Sequence, residues 1–253
     1  MQIITKYGTI NNAPIGDALI SPKDAYMWFD DFDKTQPSAT TYQLTTASAG
    51  VATVSVAPVA NVGDTGLANV AQGATASGTG FISQVNAHML LTQNREIWFE
   101  AMCSCSYTGA VANSGSTFIG FTTSANNAAS IAAVGTSVAT TSVIGFVFAE
   151  DGCLKTQVSN ATAAATQLNV FGGTTLHALG TNGRTYRLGM RINRNIGVDF
   201  YVDGTLRQSI AAPSGGLDIT NLHRFSMQCV GGTSTTTAKT MRTDYVQYGF
   251  IRI

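Results

Sequence analysis

The stretch of this chain richest in chemical possibility is Glu96-Ile97-Trp98-Phe99-Glu100. Polar and apolar residues alternate there, so two carboxylates four residues apart fall on one face of a β-strand. Paired carboxylates are the equipment of retaining glycoside hydrolysis, one as nucleophile and one as acid, with the carboxyl groups about 5–5.5 Å apart. The bland alternative is two polar residues on a solvated sheet face.

Other groups are weaker. Asp30, Asp31 and Asp33 gather behind Trp28-Phe29, and calcium takes several oxygens at about 2.3–2.6 Å. Adjacent strand residues point to opposite faces, so at most two of the three converge, and a strand end with its charges in water is expected. Cys103, Cys105, Cys153 and Cys229 include no tight Cys-x2-4-Cys pair. Reduced, buried thiols are expected rather than zinc ligands. His88, His177 and His223 lie far apart, and none has a nucleophile beside it in sequence. Arg184, Arg187, Arg191 and Arg194 are the densest basic group. Arg187 and Arg191 share a strand face, with Asp199 on the following strand as their expected partner. No Gly-x-x-x-x-Gly-Lys-Ser/Thr loop occurs, and no cofactor is expected.

The elements that must position these groups are strands. No stretch sustains helical periodicity, while Thr, Val, Ile, Phe and Tyr are plentiful and glycine interrupts the chain at short intervals. Residues 185–210 are the clearest case. Tyr186, Leu188, Met190 and Ile192 alternate with Arg187, Gly189 and Arg191, then Val198, Phe200 and Val202 alternate with Asp199 and Tyr201. Asn193-Arg194-Asn195 and Asp203-Gly204 supply the turns of a three-strand meander. Residues 96–106 alternate likewise. Residues 118–122 and 143–149 each hold an Ile-Gly-Phe core, Asp151-Gly152 turns into another strand, and MRTDYVQYGFIRI reads as a last strand, or two. Residues 45–80 and 109–141 are rich in Ala, Gly, Ser and Thr and read as short strands with long connections. About a dozen short strands in one chain predict an all-β, two-sheet antiparallel jelly-roll sandwich over residues 25–253. Residues 1–24 read as an N-terminal arm in which Pro14, Gly16 and Pro22 break regular structure.

Composition narrows the setting. Only 11% of the 253 residues are charged, and 14 basic side chains balance 14 acidic ones, so nothing in the charge suits nucleic acid or an anionic membrane. A hydrophobic content of 44% is too high for a disordered chain of the charged kind. No run approaches the ~20 apolar residues of a membrane helix. MQIITKYGTINNAP lacks the basic start and apolar core of a signal peptide, so synthesis and retention in a cytosol are expected.

The set WFDDF, REIWFEA, GFVFAEDG, YRLGMRI, GVDFYVDGTL and TDYVQYGFIRI resembles the concanavalin A-like (laminin G-like) jelly roll. In that family an aromatic pair often precedes a strand-ending Asp-Gly, as in Phe200-Tyr201-Val202-Asp203-Gly204, and a late strand often carries a step like Asp244-Tyr245-Val246. Retaining glycosidases of this fold write their pair as Glu-x-Asp-x-x-Glu or a close relative. Here Trp98 stands where the assisting aspartate belongs, so the resemblance implies the fold without the enzyme. The alanine- and threonine-rich lead-in is similar to structural proteins of tailed-bacteriophage particles. The expectation is therefore a non-enzymatic virion protein made in a host cytoplasm. It would decorate a capsid by binding the major capsid protein or other virion proteins, and it would be a homo-oligomer, guessed to be a trimer. Met1, Ile3, Ile4 and Tyr7 of the arm would be the apolar anchors. The rival expectation is a glycan-binding module of a tail or fibre, with Trp98, Tyr107 and Tyr201 as outward aromatics.

Overall fold

A computed structural model of the chain describes residues 3–5, 8–10, 25–32, 42–47, 53–57, 67–72, 78–87, 89–91, 96–108, 115–124, 129–132, 141–160, 166–171, 184–193, 197–213, 216–218, 220–232 and 238–251. These residues form strands and no helix. The first are β1 (Ile3–Thr5), β2 (Gly8–Ile10), β3 (Ala25–Asp30), β4 (Tyr42–Ala47), β5 (Thr53–Ala57) and β6 (Leu67–Gln72). Then come β7 (Thr79–Gln84), β8 (Glu96–Thr108), β9 (Ser116–Thr122), β10 (Val143–Phe148), β11 (Leu154–Ser159) and β12 (Thr166–Asn169). The last are β13 (Thr185–Asn193), β14 (Gly197–Val202), β15 (Thr205–Ala211), β16 (Arg224–Val230) and β17 (Ala238–Ile251).

Two antiparallel sheets make the jelly-roll sandwich that the sequence predicts. One has seven strands in the order β12-β11-β10-β9-β16-β7-β4. The other has eight: β15-β14-β13-β8-β17-β6-β5, with β3 also paired to β17. The predicted meander is β13-β14-β15, and its second turn places Asp203 and Gly204 at φ 52° and 78°, as an Asp-Gly hairpin requires. The arm differs from expectation in one respect. Ahead of Pro14, β1 and β2 pair as a ribbon of their own. Met1 and Tyr7 lie outside the described residues, and Ile3 and Ile4 are described as backbone alone.

The inner faces meet in an aromatic core. Phe99 on β8 packs edge-on to Phe121 on β9, with ring centroids 5.4 Å apart, and Phe146 on β10 does the same with Phe200 on β14 at 5.2 Å. Cys103, Cys105 and Cys229 join this cluster as small apolar groups; Cys153, also buried, stands apart from it. The outer face of the seven-stranded sheet carries a second apolar cluster, in which Ile131 covers Phe118, Val143 and Val147. Ser130 donates from N and Oγ to Gln228 Oε1, both at 2.9 Å, and so fastens residues 129–132 over β16. The two Ile-Gly-Phe copies pair with each other, Gly120 opposite Gly145. A Cβ on Gly145 would stand 2.6 Å from the Phe118 ring, so only glycine fits there.

The C-terminal segment is one strand, and it changes phase. Thr243 pairs with Cys103 but Tyr245 pairs with Met102, which leaves Asp244 as the extra residue of a β-bulge. Before the bulge the odd-numbered residues face the core; after it the even-numbered ones do. Lys239 is therefore on the inner face, and it is 2% exposed. Its ammonium reaches the opposite sheet and donates to three carbonyls, Gly115 O at 2.7 Å, Ala149 O at 3.0 Å and Phe148 O at 3.3 Å. A neutral amine has two N–H groups, so three acceptors select the charged form. Burial pulls the lysine pKa down, against the Coulombic pull of Cys105, Cys229, Asp151 and Glu150. Lys239→Met keeps the volume but leaves three inward carbonyls without this donor. Urea denaturation is expected to show a loss of about 3 kcal/mol at unchanged m-value; unchanged stability would contradict the clamp.

Candidate functional site

On β8, Ile97, Phe99, Ala101, Cys103 and Cys105 belong to the core. Glu96, Trp98 and Glu100 therefore share the outer face of the eight-stranded sheet, as their alternation predicts. Their surroundings differ from the predicted solvated face. Glu96 accepts from Arg191 Nη2 at 2.6 Å, Arg191 Nε at 3.3 Å and Asn193 Nδ2 at 3.3 Å. Arg191 thus pairs with Glu96 on the preceding strand of the sheet rather than with Asp199, whose Oδ1 accepts from Ser209 Oγ at 2.6 Å. The reason is geometric: a bidentate guanidinium–carboxylate fork is available on the β8 side.

Glu100 is 2% exposed. Its Oε1 accepts from the Tyr245 hydroxyl at 2.7 Å and from Gln247 Nε2 at 3.1 Å. Its Oε2 has no hydrogen-bond partner among the described residues; Arg187 Nε lies 4.0 Å away. The Asp244 bulge creates this arrangement, because it turns Tyr245 and Gln247 to the face that Glu100 occupies. Burial, then the Glu100 carboxylate, pushes the Tyr245 hydroxyl well above the ordinary tyrosine pKa, so it stays a donor.

Trp98 is not the outward aromatic expected: it is 3% exposed and belongs to neither apolar cluster. Tyr107 and Tyr201 are half-buried. Among the described residues the exposed aromatic is Phe29 on β3, at 38%, and its ring stacks on Tyr245 with centroids 6.1 Å apart and planes 27° apart. The sequence signal for it was present, since Trp28 and Phe29 must take opposite faces of β3. Trp28 takes the inner one, stacked on Tyr248 at 5.1 Å.

The remaining candidates separate. Asp30 Oδ1 accepts from Phe32 N at 2.8 Å and holds Phe32 at φ 53° in a turn. Asp33, His88, His177 and Arg194 lie outside the described residues. Among the described residues no three His, Cys, Asp or Glu side chains group as metal ligands. His223 does meet a hydroxyl, distant in sequence: its Nε2 is 3.1 Å from Ser142 Oγ. Ser142 donates its own proton to Ser159 O at 3.0 Å, so Nε2 must be the donor to Ser142 and Nδ1 is bare. Both side chains are fully buried, and the Asp218 carboxylate is engaged by Thr220 and Asn221. This is a structural pair with no route for a substrate.

No family model and no curated protein matches the chain. Among solved structures it is similar to a protein of unknown function from Shewanella oneidensis (13% identity, 93% of this chain and 96% of that one, TM-score 0.56). It is also similar to the carbohydrate recognition domain of Emp47p (10% identity, 92% and 100%, TM-score 0.55). A third is an endo-1,3-beta-glucanase from Streptomyces sioyaensis (13% identity, 94% and 100%, TM-score 0.54). The chain spans 43% of a botulinum neurotoxin type C chain, at a TM-score of 0.49. At such identities the likeness is one of fold, and it agrees with the concanavalin A-like jelly roll read from the sequence.

Burial pulls His223 down to about 4 against the attraction of Asp218. The unfolded chain takes up this proton near 6.5, so the folded state is fully stabilised above that pH and weakens as pH falls from 6.5 through 4. The loss is about 3 kcal/mol. His223→Gln, which does not titrate, is expected to flatten the denaturation midpoint over this window; an unchanged slope would assign the acid sensitivity to other groups.

Proposed function

We propose that this chain is a non-catalytic carbohydrate-binding domain whose ligand surface is the outer face of the eight-stranded sheet. The observation that carries the reading is the exposed Phe29 ring stacked on the half-buried Tyr245, whose hydroxyl is fixed by the enclosed Glu100. Sugars offer this combination a complement, with apolar C–H faces for a ring and hydroxyls for fixed donors and acceptors. Two of the similar folds carry carbohydrate in their names, the recognition domain and the glucanase, which supports the reading without proving it.

The same residues support binding without hydrolysis. Both oxygens of Glu96 are held by Arg191, Trp98 stands between the carboxylates, and Glu100 is enclosed. Of the two settings expected from the sequence, this reading fits the tail or fibre module that meets surface polysaccharide. The capsid-decoration setting depends on Met1, Ile3, Ile4 and Tyr7, whose side chains are not described.

Phe29→Ala removes an exposed ring and leaves the core intact. On a glycan array it is expected to weaken the binding shown by the wild type by about tenfold or more, without a change in Tm. Equal binding by wild type and variant, or reducing sugar released from any polysaccharide by the wild type and lost in Glu96→Gln and Glu100→Gln, would overturn this reading.

A further inference from the structure

Among the described residues the basic side chains are engaged, with one exception. Lys155 pairs with Asp151, Arg184 with Asp203 and Arg191 with Glu96, and Arg187 stands 4.0 Å from Glu100. Arg224 donates to Gln84 O and Val85 O, Lys239 clamps its three carbonyls, and Arg207 lies over the Phe171 ring. The exception is Arg242. It is exposed on the outer face of the eight-stranded sheet and has no ion pair, hydrogen bond or ring contact among the described residues.

Exposed cations commonly guard the edge strands of a sheet against stray pairing. That cannot be the task of Arg242, because β17 is interior at this point. Ser104 on β8 lies opposite it on one side and Asn69 on β6 on the other. Thr185 on β13 continues the row beyond Ser104. From Thr185 to Asn69 the row spans three inter-strand steps, about 14 Å. None of its four residues is buried, and the long Arg242 side chain has only short polar neighbours in the row.

The row adjoins the aromatic stack. Met102, two residues before Ser104 on β8, lies opposite Tyr245, on which Phe29 stacks. One strand repeat, about 7 Å, separates the two rows. Met102 and Tyr245 are half-buried and Phe29 is exposed, so the surface is accessible from the ring to the guanidinium. The neighbouring carboxylates are otherwise occupied. Asp244 has an interaction of its own, and Glu100 is enclosed and faces Arg187.

We infer that the ligand is an acidic glycan, with a sugar ring against Phe29 and Tyr245 and a carboxylate or sulfate received by Arg242. This rests on the carbohydrate-binding reading and specifies its ligand class. A guanidinium presents parallel N–H donors that match the paired oxygens of either anion. One such group beside an aromatic ring suits a sparsely charged sugar chain, whereas a nucleic acid would need a basic stripe. Arg242 is then the residue that sets specificity.

The test is calorimetric titration of the full chain with oligosaccharides of galacturonan, alginate and a sulfated galactan, each beside its neutral counterpart made by carboxyl reduction or desulfation. At least one acidic series is expected to bind about fivefold or more tighter than its neutral counterpart, the size of one exposed, charge-assisted contact. Raising NaCl from about 50 to 500 mM is expected to shrink that preference by about half or more. Arg242→Gln is expected to abolish the preference and Arg242→Lys to retain part of it, both at the wild-type Tm because the side chain is exposed. Preference among the uronates alone identifies a carboxylate as the recognised group, and for the sulfated galactan alone a sulfate ester; either result supports the inference. Equal affinity for acidic and neutral forms, or an undiminished preference in Arg242→Gln, would overturn it and leave the carbohydrate reading standing. No binding in any series, or tighter binding to a single-stranded oligonucleotide than to every glycan, would overturn both this inference and the proposed function.

Discussion

The single extra residue at Asp244 is the constraint on which the two faces of the eight-stranded sheet depend. Without it, one phase would run the length of β17. Lys239, Met241 and Thr243 would stay inside, but Tyr245 and Gln247 would follow them into the core and leave Glu100 without its partners. With it, Val246 and Tyr248 continue the core while Tyr245 and Gln247 turn outward. The same strand also changes neighbour near this point, pairing with β6 through Thr243 and with β3 from Val246 onward. The bulge thus places Phe29, opposite Gln247 near the start of that second pairing, where it can stack on Tyr245.

A chain with so few charges uses them in places where each must be satisfied by design. Lys239 rests on main-chain carbonyls of the opposite sheet, so it fastens the sandwich without a carboxylate partner. Gln228 collects Ser130 and passes a hydrogen bond to Ser226, so a buried amide holds the cover of the seven-stranded sheet. Glu100 is one exception among the described residues, with one oxygen bonded and one without a donor; Arg224 Nε and His223 Nδ1 are others. A buried acceptor left unmade is costly, and such departures from full satisfaction concentrate where proteins bind or react.

The fold was legible because period-two alternation is strong wherever one sheet face is apolar. Tyr186 to Val202 and Ile97 to Ala101 are examples, and in both the core-facing residues were identifiable before any contact was known. The phase change at Asp244 accounts for a segment, MRTDYVQYGFIRI, that reads as one strand or two. What alternation cannot show is which outer residues are then covered. Trp98 and Glu100 were assigned to the correct face and the wrong environment, since burial of an outer face depends on segments distant in sequence. Partner choice was illegible for the same reason. Arg191 has a carboxylate within reach on either side, and only the strand order places Glu96 beside it in bidentate geometry. The Ser142–His223 pair spans 81 residues and leaves no local trace.

The central claim is that function resides on the outer face of the eight-stranded sheet, at the exposed Phe29 ring and its stack on Tyr245. The most direct measurement is NMR chemical-shift mapping of the labelled protein during titration with the glycan of highest affinity on the array. Perturbed backbone amides are predicted to cluster on β3 and the adjoining part of β17, with Phe29 and Tyr245 among them. Perturbations confined to the connections between strands, or to the seven-stranded sheet, would place the ligand elsewhere and contradict the account.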